Sequence, residues 1–533
     1  MGRRKKIAAQ NETIAEIGFD FSGWAAKHSR WLLISLSALF ILLSMLMFDP
    51  KPFVGGDNAA YVSLSKSLVQ GKGLSEIWTP EGKAHTQYPF GFPLLLTPIS
   101  LLKIPYAWYK LIPWFSGFLS LVAFCSLIRD ERKVLYLAPA LLLAVNHYFL
   151  EYTHWVLSEL PFTFFILLTF LILKKWEKNG GRLWLAGVIL SAVFTNYIRS
   201  AGISLYLGIF MYLFFKKKAK EAGMFIAGCI VLTMPWAIRN NHYGTSGGYL
   251  EQFLMRDPYQ PELGLLGIGG LFQRFFANIE IYFTSVLPRM LFPAADNWGL
   301  SGGLLIIMLL TVIPAVVVLI FRIIKTPRGY DWFVLNYLGM SMLWPEAWSD
   351  VRFLLPLLPF LLFYMVQAYH YLLTRVFNKK VLWPSMMLIL LVVSANVSSG
   401  WEKISGNLEA NKYYRQDKYS GYDPAWRSFF TAAEWIKAGT PENSIVVSRK
   451  PSLFFLSAQR KAFCYPFTAN RDSVLKVIDR ADYVMVEPVS GTGQKYLIPA
   501  IQPLLDKKYK IIYAQGEPPT YVLQVIKENP NAR

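Results

Sequence analysis

Cysteine is almost missing: 533 residues contain three, Cys125, Cys229 and Cys464, and no CxxC spacing occurs. That excludes a disulfide framework and offers no zinc ligand set. Charge is scarce as well, at 17% of residues, and acidic side chains (34) are fewer than basic ones (54). A soluble chain needs charge to cover its surface, so this shortage argues against a wholly soluble protein. The net charge of +20 raises nucleic acid as a partner. The basic residues lie in short loops between apolar runs, however, where they meet anionic lipid headgroups instead. A cleavable signal peptide is not expected, because about thirty polar residues precede the first apolar run and no small-residue cleavage site follows it.

What the chain has in abundance is apolar surface: 54% of residues are hydrophobic and 16% aromatic, gathered into runs such as Trp31 to Phe48. These runs predict an α-helical polytopic membrane protein with about eleven transmembrane helices. They cover residues 31–48, 106–128, 134–150, 156–173, 183–198, 201–215, 222–238, 303–321, 332–345, 353–373 and 381–397. Basic clusters recur at every second connection: Arg3 to Lys6; Arg129, Arg132 and Lys133; Lys174, Lys175 and Lys178; Lys216 to Lys218 and Lys220; Arg322, Lys325 and Arg328; Arg375, Lys379 and Lys380. The positive-inside rule assigns these, and the N-terminus, to the cytoplasm. The alternate connections then face outward, and two are long, over 49–105 and 239–302. Loops of that length on a helix bundle are functional lids or small folded units.

Residues 1–397 thus form a membrane module, and 398–533 an outward-facing α/β domain. In the domain the pattern predicts helices over Trp426–Lys437, Asp472–Arg480 and Gln494–Leu505. Strands are predicted over Ser444–Ser448, Tyr483–Val486, Lys510–Tyr513 and Tyr521–Ile526. No Gly-rich phosphate loop or nucleophile elbow occurs there, which suits an accessory or substrate-shaping part.

The first outward loop holds the most informative residues. It opens Gly55-Gly56-Asp57-Asn58-Ala59-Ala60-Tyr61 and returns through Tyr88-Pro89-Phe90-Gly91-Phe92-Pro93. Asp57 falls near the headgroup level, either as a functional carboxylate or as the cap of the amphipathic stretch that follows it. Glu159 heads an apolar helix and has the same two readings, a cavity acid or a partner of the helix dipole. Cations stand at the outward ends of helices: Lys83, His85, Arg199, Arg239 and Arg352. Each is a phosphate ligand or a headgroup anchor, and Glu346 and Asp350 flank Arg352 closely enough to pair with it.

Asp57-Asn58, Tyr61 and the Tyr88-Pro89 return resemble the membrane-embedded GT-C glycosyltransferases, in the branch of protein O-mannosyltransferases and lipid A aminoarabinose transferases. Ser158-Glu159-Leu160-Pro161-Phe162, Pro235-Trp236-Ala237-Ile238-Arg239-Asn240 and Arg352 to Pro359 are also similar to that branch. The tail around Ala433 to Ile436 and Ile445 to Pro451 resembles extracytoplasmic domains of bacterial members. The resemblance implies a polyprenyl-phosphate-linked sugar as donor, with no cofactor or metal. It implies transfer with inversion to a lipid, glycan or protein acceptor on the outer face of a bacterial inner membrane. Asp57 would be the general base and Asn58 would orient it or the acceptor. Arg352, Lys83, His85, Arg199 and Arg239 would bind the donor phosphate, and Arg256 and Arg274 would lie near its lipid tail. Asp57-Asn58 replaces the Asp-Glu of the mannosyltransferases, and Gln87-Tyr88 replaces the Glu-Lys of the aminoarabinose enzymes, which argues against an aminoarabinose donor. The alternatives are a transporter or flippase for a lipid-linked saccharide, or a scaffold. A transporter should show mid-membrane charge and a repeat between halves, and neither is evident.

Overall fold

The structure, a computed structural model, describes residues 28–129, 137–244, 249–293, 301–377 and 382–527. Arg3 to Lys6, Arg132, Lys133, Lys379 and Lys380 lie outside the described residues. Helices of eight residues or more are α1 (Ser29–Leu46), α2 (Asn58–Val69), α3 (Gly91–Leu101), α4 (Leu111–Ile128), α5 (Ala138–Val145) and α6 (Glu159–Asn179). Then come α7 (Arg182–Ile198), α8 (Ile203–Phe215), α9 (Ala219–Tyr243), α10 (Ile268–Ile281), α11 (Ile313–Lys325) and α12 (Gly329–Met342). The bundle ends with α13 (Leu358–Phe377) and α14 (Leu382–Tyr413).

Helix occupies the described part of every expected apolar run, yet the count of about eleven crossings is not met. Among the described residues five helices are long and apolar enough to cross a membrane, or six if one bent pair is a single span. Local chemistry explains the shortfall. Asn146 ends α5, turns its side chain onto the Phe149 amide at 3.0 Å, and starts a new short helix. That segment then meets α6 at a 113° bend. Other runs form helices of only 17, 13 and 14 residues, namely α7, α8 and α12. The chain is a polytopic α-helical membrane protein whose elements include broken and short apolar helices.

Because α6 runs from Glu159 to Asn179, its termini mark two ends of the bundle. At the Asn179 end, Lys174 donates to the Leu127 carbonyl at 3.0 Å and Lys218 lies 4.3 Å over the Trp176 ring. Tyr212 donates to Glu177 at the same end. The described basic loops therefore gather there. At the Glu159 end, Asp57, Arg199 and Arg352 converge from three other connections.

The α/β domain adds α15 (Pro424–Gly439), α16 (Pro451–Ala458) and α17 (Arg471–Ile478). Its strands are β1 (Ile445–Val447), β2 (Lys461–Phe463), β3 (Tyr483–Val486), β4 (Tyr509–Gln515) and β5 (Thr520–Val525). The sheet order is β2-β1-β3-β5-β4, with β2, β1 and β3 parallel and the β5 and β4 pairings antiparallel. Two elements, α16 and β2, were not expected; each is short, and β2 alternates no clear apolar face. The expected helix over Gln494–Leu505 is three short pieces, Gly493–Leu497, Ile498–Ile501 and Gln502–Leu504, each later piece having proline in its first turn. Helix α14 passes residue 397, where the apolar pattern stops, and continues to Tyr413.

The domain docks on both long loops. The Ala462 amide donates to the Trp78 carbonyl at 2.7 Å, Lys461 reaches the Pro80 carbonyl at 3.2 Å, and Arg480 pairs with Glu81. On the second loop, Lys495 pairs with Glu262 at 2.7 Å and Tyr496 donates to the same carboxylate at 2.9 Å.

Candidate active site

Asp57 occupies the N-cap position of α2 without capping it. Its carboxylate turns away, accepting from the Tyr88 hydroxyl at 2.7 Å and from Arg352 Nη2 at 3.0 Å. Glu159 likewise begins α6 and is fully buried, but its Oε1 takes Arg352 Nε at 2.5 Å and Arg199 Nη1 at 2.7 Å. The other carboxylate oxygen of Glu159 is buried with no partner among the described residues. Two carboxylates and two guanidiniums thus form one chain of charge, Asp57–Arg352–Glu159–Arg199. Arg352 is not taken by its neighbours in sequence: Asp350 accepts only its backbone amide, at 3.0 Å. Burial pushes the Asp57 carboxyl up, but Arg352 and the Tyr88 hydrogen bond outweigh that and hold it below the usual aspartate value.

The loop that presents Asp57 depends on glycine. Gly56 has φ +62°, and a Cβ there would stand 3.0 Å from Arg352 Nη1. Asn58 fastens the same turn. It donates to the Phe53 and Gly55 carbonyls at 2.5 and 2.8 Å and accepts from the Tyr106 hydroxyl at 2.8 Å. The return segment aims Tyr88. The His85 ring holds Glu76 at 2.8 Å through Nδ1 and accepts the Tyr88 amide at 2.9 Å through Nε2. Tyr61 packs its ring on Tyr88 and Phe92, centroids 5.0 and 4.9 Å away, with its hydroxyl 3.4 Å from Ser158 Oγ. Pro89 is buried directly after Tyr88.

Of the expected phosphate ligands, Arg352 and Arg199 lie in the charge chain, and the others lie elsewhere. Lys83 is exposed at the loop tip, and His85 is buried within the loop it braces. Arg239 donates to the His85 carbonyl at 2.9 Å and the Leu74 carbonyl at 3.3 Å, and stacks 4.8 Å over Trp236. Arg274, buried, serves loop carbonyls at Phe253 and Met255.

Beside the charge chain opens a cavity of about 520 Å³. Its lining combines Gly55, Gly56, Asp350, Arg352 and Arg289 with the rings of Phe53, Tyr148, Tyr152 and Trp155. Phe53 and Trp155 stack face to face at 3.8 Å. A volume of this size, with charged and polar groups set among aromatic rings, suits a small polar ligand group. Arg289 is unmarked in the sequence, and Ser158 stands there only as the opening of the segment that carries Glu159. Arg289 lies in a short helix, Leu287–Leu291, with no motif around it. Ser158 accepts Arg199 Nη1 at 3.0 Å, and its place before Glu159 was the available signal.

No family profile matches the chain, and no curated protein matches it in sequence. Solved structures do match it in fold. ArnT from Cupriavidus metallidurans bound to undecaprenyl phosphate superposes with a TM-score of 0.56 at 11% identity, over 93% of this chain and 98% of that one. The apo form of that ArnT gives 0.50 at 14% identity, over 94% and 98%. The Archaeoglobus fulgidus oligosaccharyltransferase, in complex with zinc and sulfate, gives 0.55 at 14% identity, over 93% of this chain and 74% of that one. The chain therefore shares its overall fold with these ArnT and oligosaccharyltransferase structures.

Proposed function

We propose that the protein is an inverting glycosyltransferase that takes its sugar from a polyprenyl phosphate. The observation that supports this best is Asp57: a carboxylate paired with Arg352, which itself lines an aromatic-ringed cavity, in a fold shared with a protein bound to undecaprenyl phosphate. In the proposed reaction the acceptor hydroxyl oxygen attacks the anomeric carbon from the face opposite the phosphate. The new C–O bond forms as the C–O bond to phosphate breaks, and the hydroxyl proton passes to Asp57. The electron pair leaves on the polyprenyl phosphate, whose growing charge Arg352 and Arg289 stabilise, so no acid is required there.

Arg352 links the two halves of this step. Paired with Arg352, Asp57 is a weak base. A donor phosphate competes for the same guanidinium, and as Arg352 turns to it the basicity of Asp57 rises. Asn58 positions the Asp57 turn, His85 and Tyr88 position the carboxylate, and Arg199 holds Glu159, which lies behind the cavity lining and braces Arg352. Lys83 and Arg239 serve the loop. We place the N-terminus and basic loops in the cytoplasm and the Asp57 end and α/β domain on the outer face of a bacterial inner membrane. In this reading the short apolar helices complete the crossings alongside the five long ones.

The test is transfer or donor hydrolysis, followed by mass spectrometry on purified protein with a panel of polyprenyl-phosphate sugars. Wild type should turn over at least one donor. Asp57→Ala should bind that donor and leave it intact. Full turnover by Asp57→Ala would remove the base assignment, and a panel that wild type neither binds nor cleaves would remove the reaction.

A further inference from the structure

The parallel half of the α/β sheet ends in a group of residues that the reaction above does not use. After β1 the chain runs Ser448-Arg449-Lys450, and Glu487 follows β3, its carboxylate accepting from Ser448 Oγ at 3.1 Å and from the Arg449 amide. In open α/β sheets the crevice at the carboxyl ends of parallel strands is where ligands bind. Here that edge faces the membrane site. Helix α16, which starts directly after Lys450, packs on α2: Leu453 and Phe454 share a buried cluster with Ala59, and Phe455 packs against the cluster that holds Ala60 and Leu64. Those partners belong to α2, which starts directly after Asp57. The hydrogen bond from Ala462 to Trp78 fixes the next strand to the same loop.

The two cations at this edge have different fates. Arg449 is committed within the domain, donating from Nε to Thr492 at 2.9 Å and stacking 4.7 Å over Phe467. Lys450 is half-buried, and among the described residues its ammonium has neither a hydrogen bond nor an ion pair. The side chains that act on its charge most strongly include Arg449, Asp57, Arg352 and the Cys464 thiol. Burial and the repulsion of Arg449 both work against its charge, and of these groups only Asp57 is a carboxylate that favours it. A lysine held in that setting is stabilised by an anion that arrives with substrate.

We propose that the α/β domain completes the membrane site by supplying Lys450 as a ligand for an acidic group of a substrate, a phosphate above all, in the space over Asp57. This rests on the glycosyltransferase reading. The acidic group has two possible sources, the donor phosphate or an acidic substituent of the acceptor, and the experiment separates them. Full-length wild type, Lys450→Gln and Lys450→Arg are compared in detergent for binding of sugar-free polyprenyl phosphate, and for donor and acceptor KM and kcat. About a tenfold weaker polyprenyl-phosphate affinity and raised donor KM in Lys450→Gln, recovered in Lys450→Arg, supports the proposal with the donor as source. A raised acceptor KM alone, again recovered by arginine, supports it with the acceptor as source. Unchanged binding and unchanged KM values overturn it while leaving the reaction standing if wild type turns over. Equal loss in both variants with lowered thermal stability overturns it in favour of a packing role. If wild type neither binds nor cleaves any donor, the reaction falls first and this proposal with it.

Discussion

Two buried arginine–carboxylate clusters stand at opposite ends of this bundle, and they differ in what they leave unfinished. At the basic end, Arg322 Nε donates to Asp331 at 3.0 Å, Nη2 to the Tyr330 hydroxyl at 2.7 Å and Nη1 to Gln367 at 3.3 Å. Asp331 also accepts from the Tyr364 hydroxyl and the Arg328 amide, both at 2.7 Å. Both groups are satisfied within the chain, and the short loop between α11 and α12 is thereby pinned. At the other end, Glu159 keeps a buried oxygen without a partner, and Arg352 borders a cavity of about 520 Å³ beside a Gly-Gly turn. A saturated cluster holds structure; an unsaturated one beside a cavity is ready to exchange partners.

The largest difference should appear in turnover. Asp57→Asn, which keeps the shape and loses the base, is expected to lower kcat by about 10²–10⁴-fold, the usual range for a general base, with thermal stability near wild type. Asp331→Ala should do the reverse. It strands the Arg322 charge and should cost about 3–5 kcal/mol of stability, seen as a lowered melting temperature, with kcat per folded molecule retained. If Asp331→Ala were to abolish turnover in protein that remains folded, the two clusters would not divide as described.

A smaller effect sharpens the exchange at Arg352. Gly56→Ala places a methyl 3.0 Å from the guanidinium in a backbone of φ +62°, costing roughly 1 kcal/mol of backbone strain and displacing Arg352. Donor KM should rise several-fold, and an unchanged KM would mean that Arg352 does not hold the phosphate. The pH profile probes the same exchange. The depressed pKa of Asp57 in the free protein puts the acid limb of kcat/KM below the ordinary carboxylate range. Once phosphate has drawn Arg352 away, the acid limb of kcat should lie at higher pH than that of kcat/KM. Coincident limbs would speak against a shared arginine.

The smallest effect lies in the α/β domain. Burial raises the Glu487 carboxyl to about 7, against the hydrogen bonds from Arg449 and Ser448. A raised folded-state pKa means that the native state binds the extra proton. Glu487 therefore favours folding below its unfolded value and loses that contribution as pH rises from about 4.5 to about 7. Glu487→Gln should flatten this part of the stability–pH curve of the full-length protein, and an unaltered curve would place the titration elsewhere.

Much of this was legible in the chain, and the parts that were not have physical reasons. The helical membrane class follows from apolar runs near bilayer length, and the α/β tail from its alternating patterns. The number of long spans did not follow, because composition cannot see that Asn146 caps a new helix or that α6 begins at a bend. Asp57 and Glu159 stood out as acids at helix starts. Whether such an acid caps its helix or faces a cavity is a matter of side-chain direction, which spacing leaves open. Arg352, Arg239 and Arg199 looked alike as cations at helix ends, and only tertiary packing separates a guanidinium on carboxylates from one spent on loop carbonyls. Arg289 and Lys450 did not stand out singly, because the groups that give them meaning come from other parts of the chain: Asp350 and Arg352 line the cavity with Arg289, and Asp57 acts on Lys450.

In the proposed reaction Arg352 exchanges Asp57 for the donor phosphate at the unsaturated end of the bundle. The most direct measurement is a cryo-EM structure of the full-length protein with a polyprenyl phosphate bound. The phosphate is expected within hydrogen-bond reach of the Arg352 guanidinium, with Asp57 released from it and Tyr88 still in contact. A phosphate bound away from Arg352, with the Asp57–Arg352 pair intact, would contradict it.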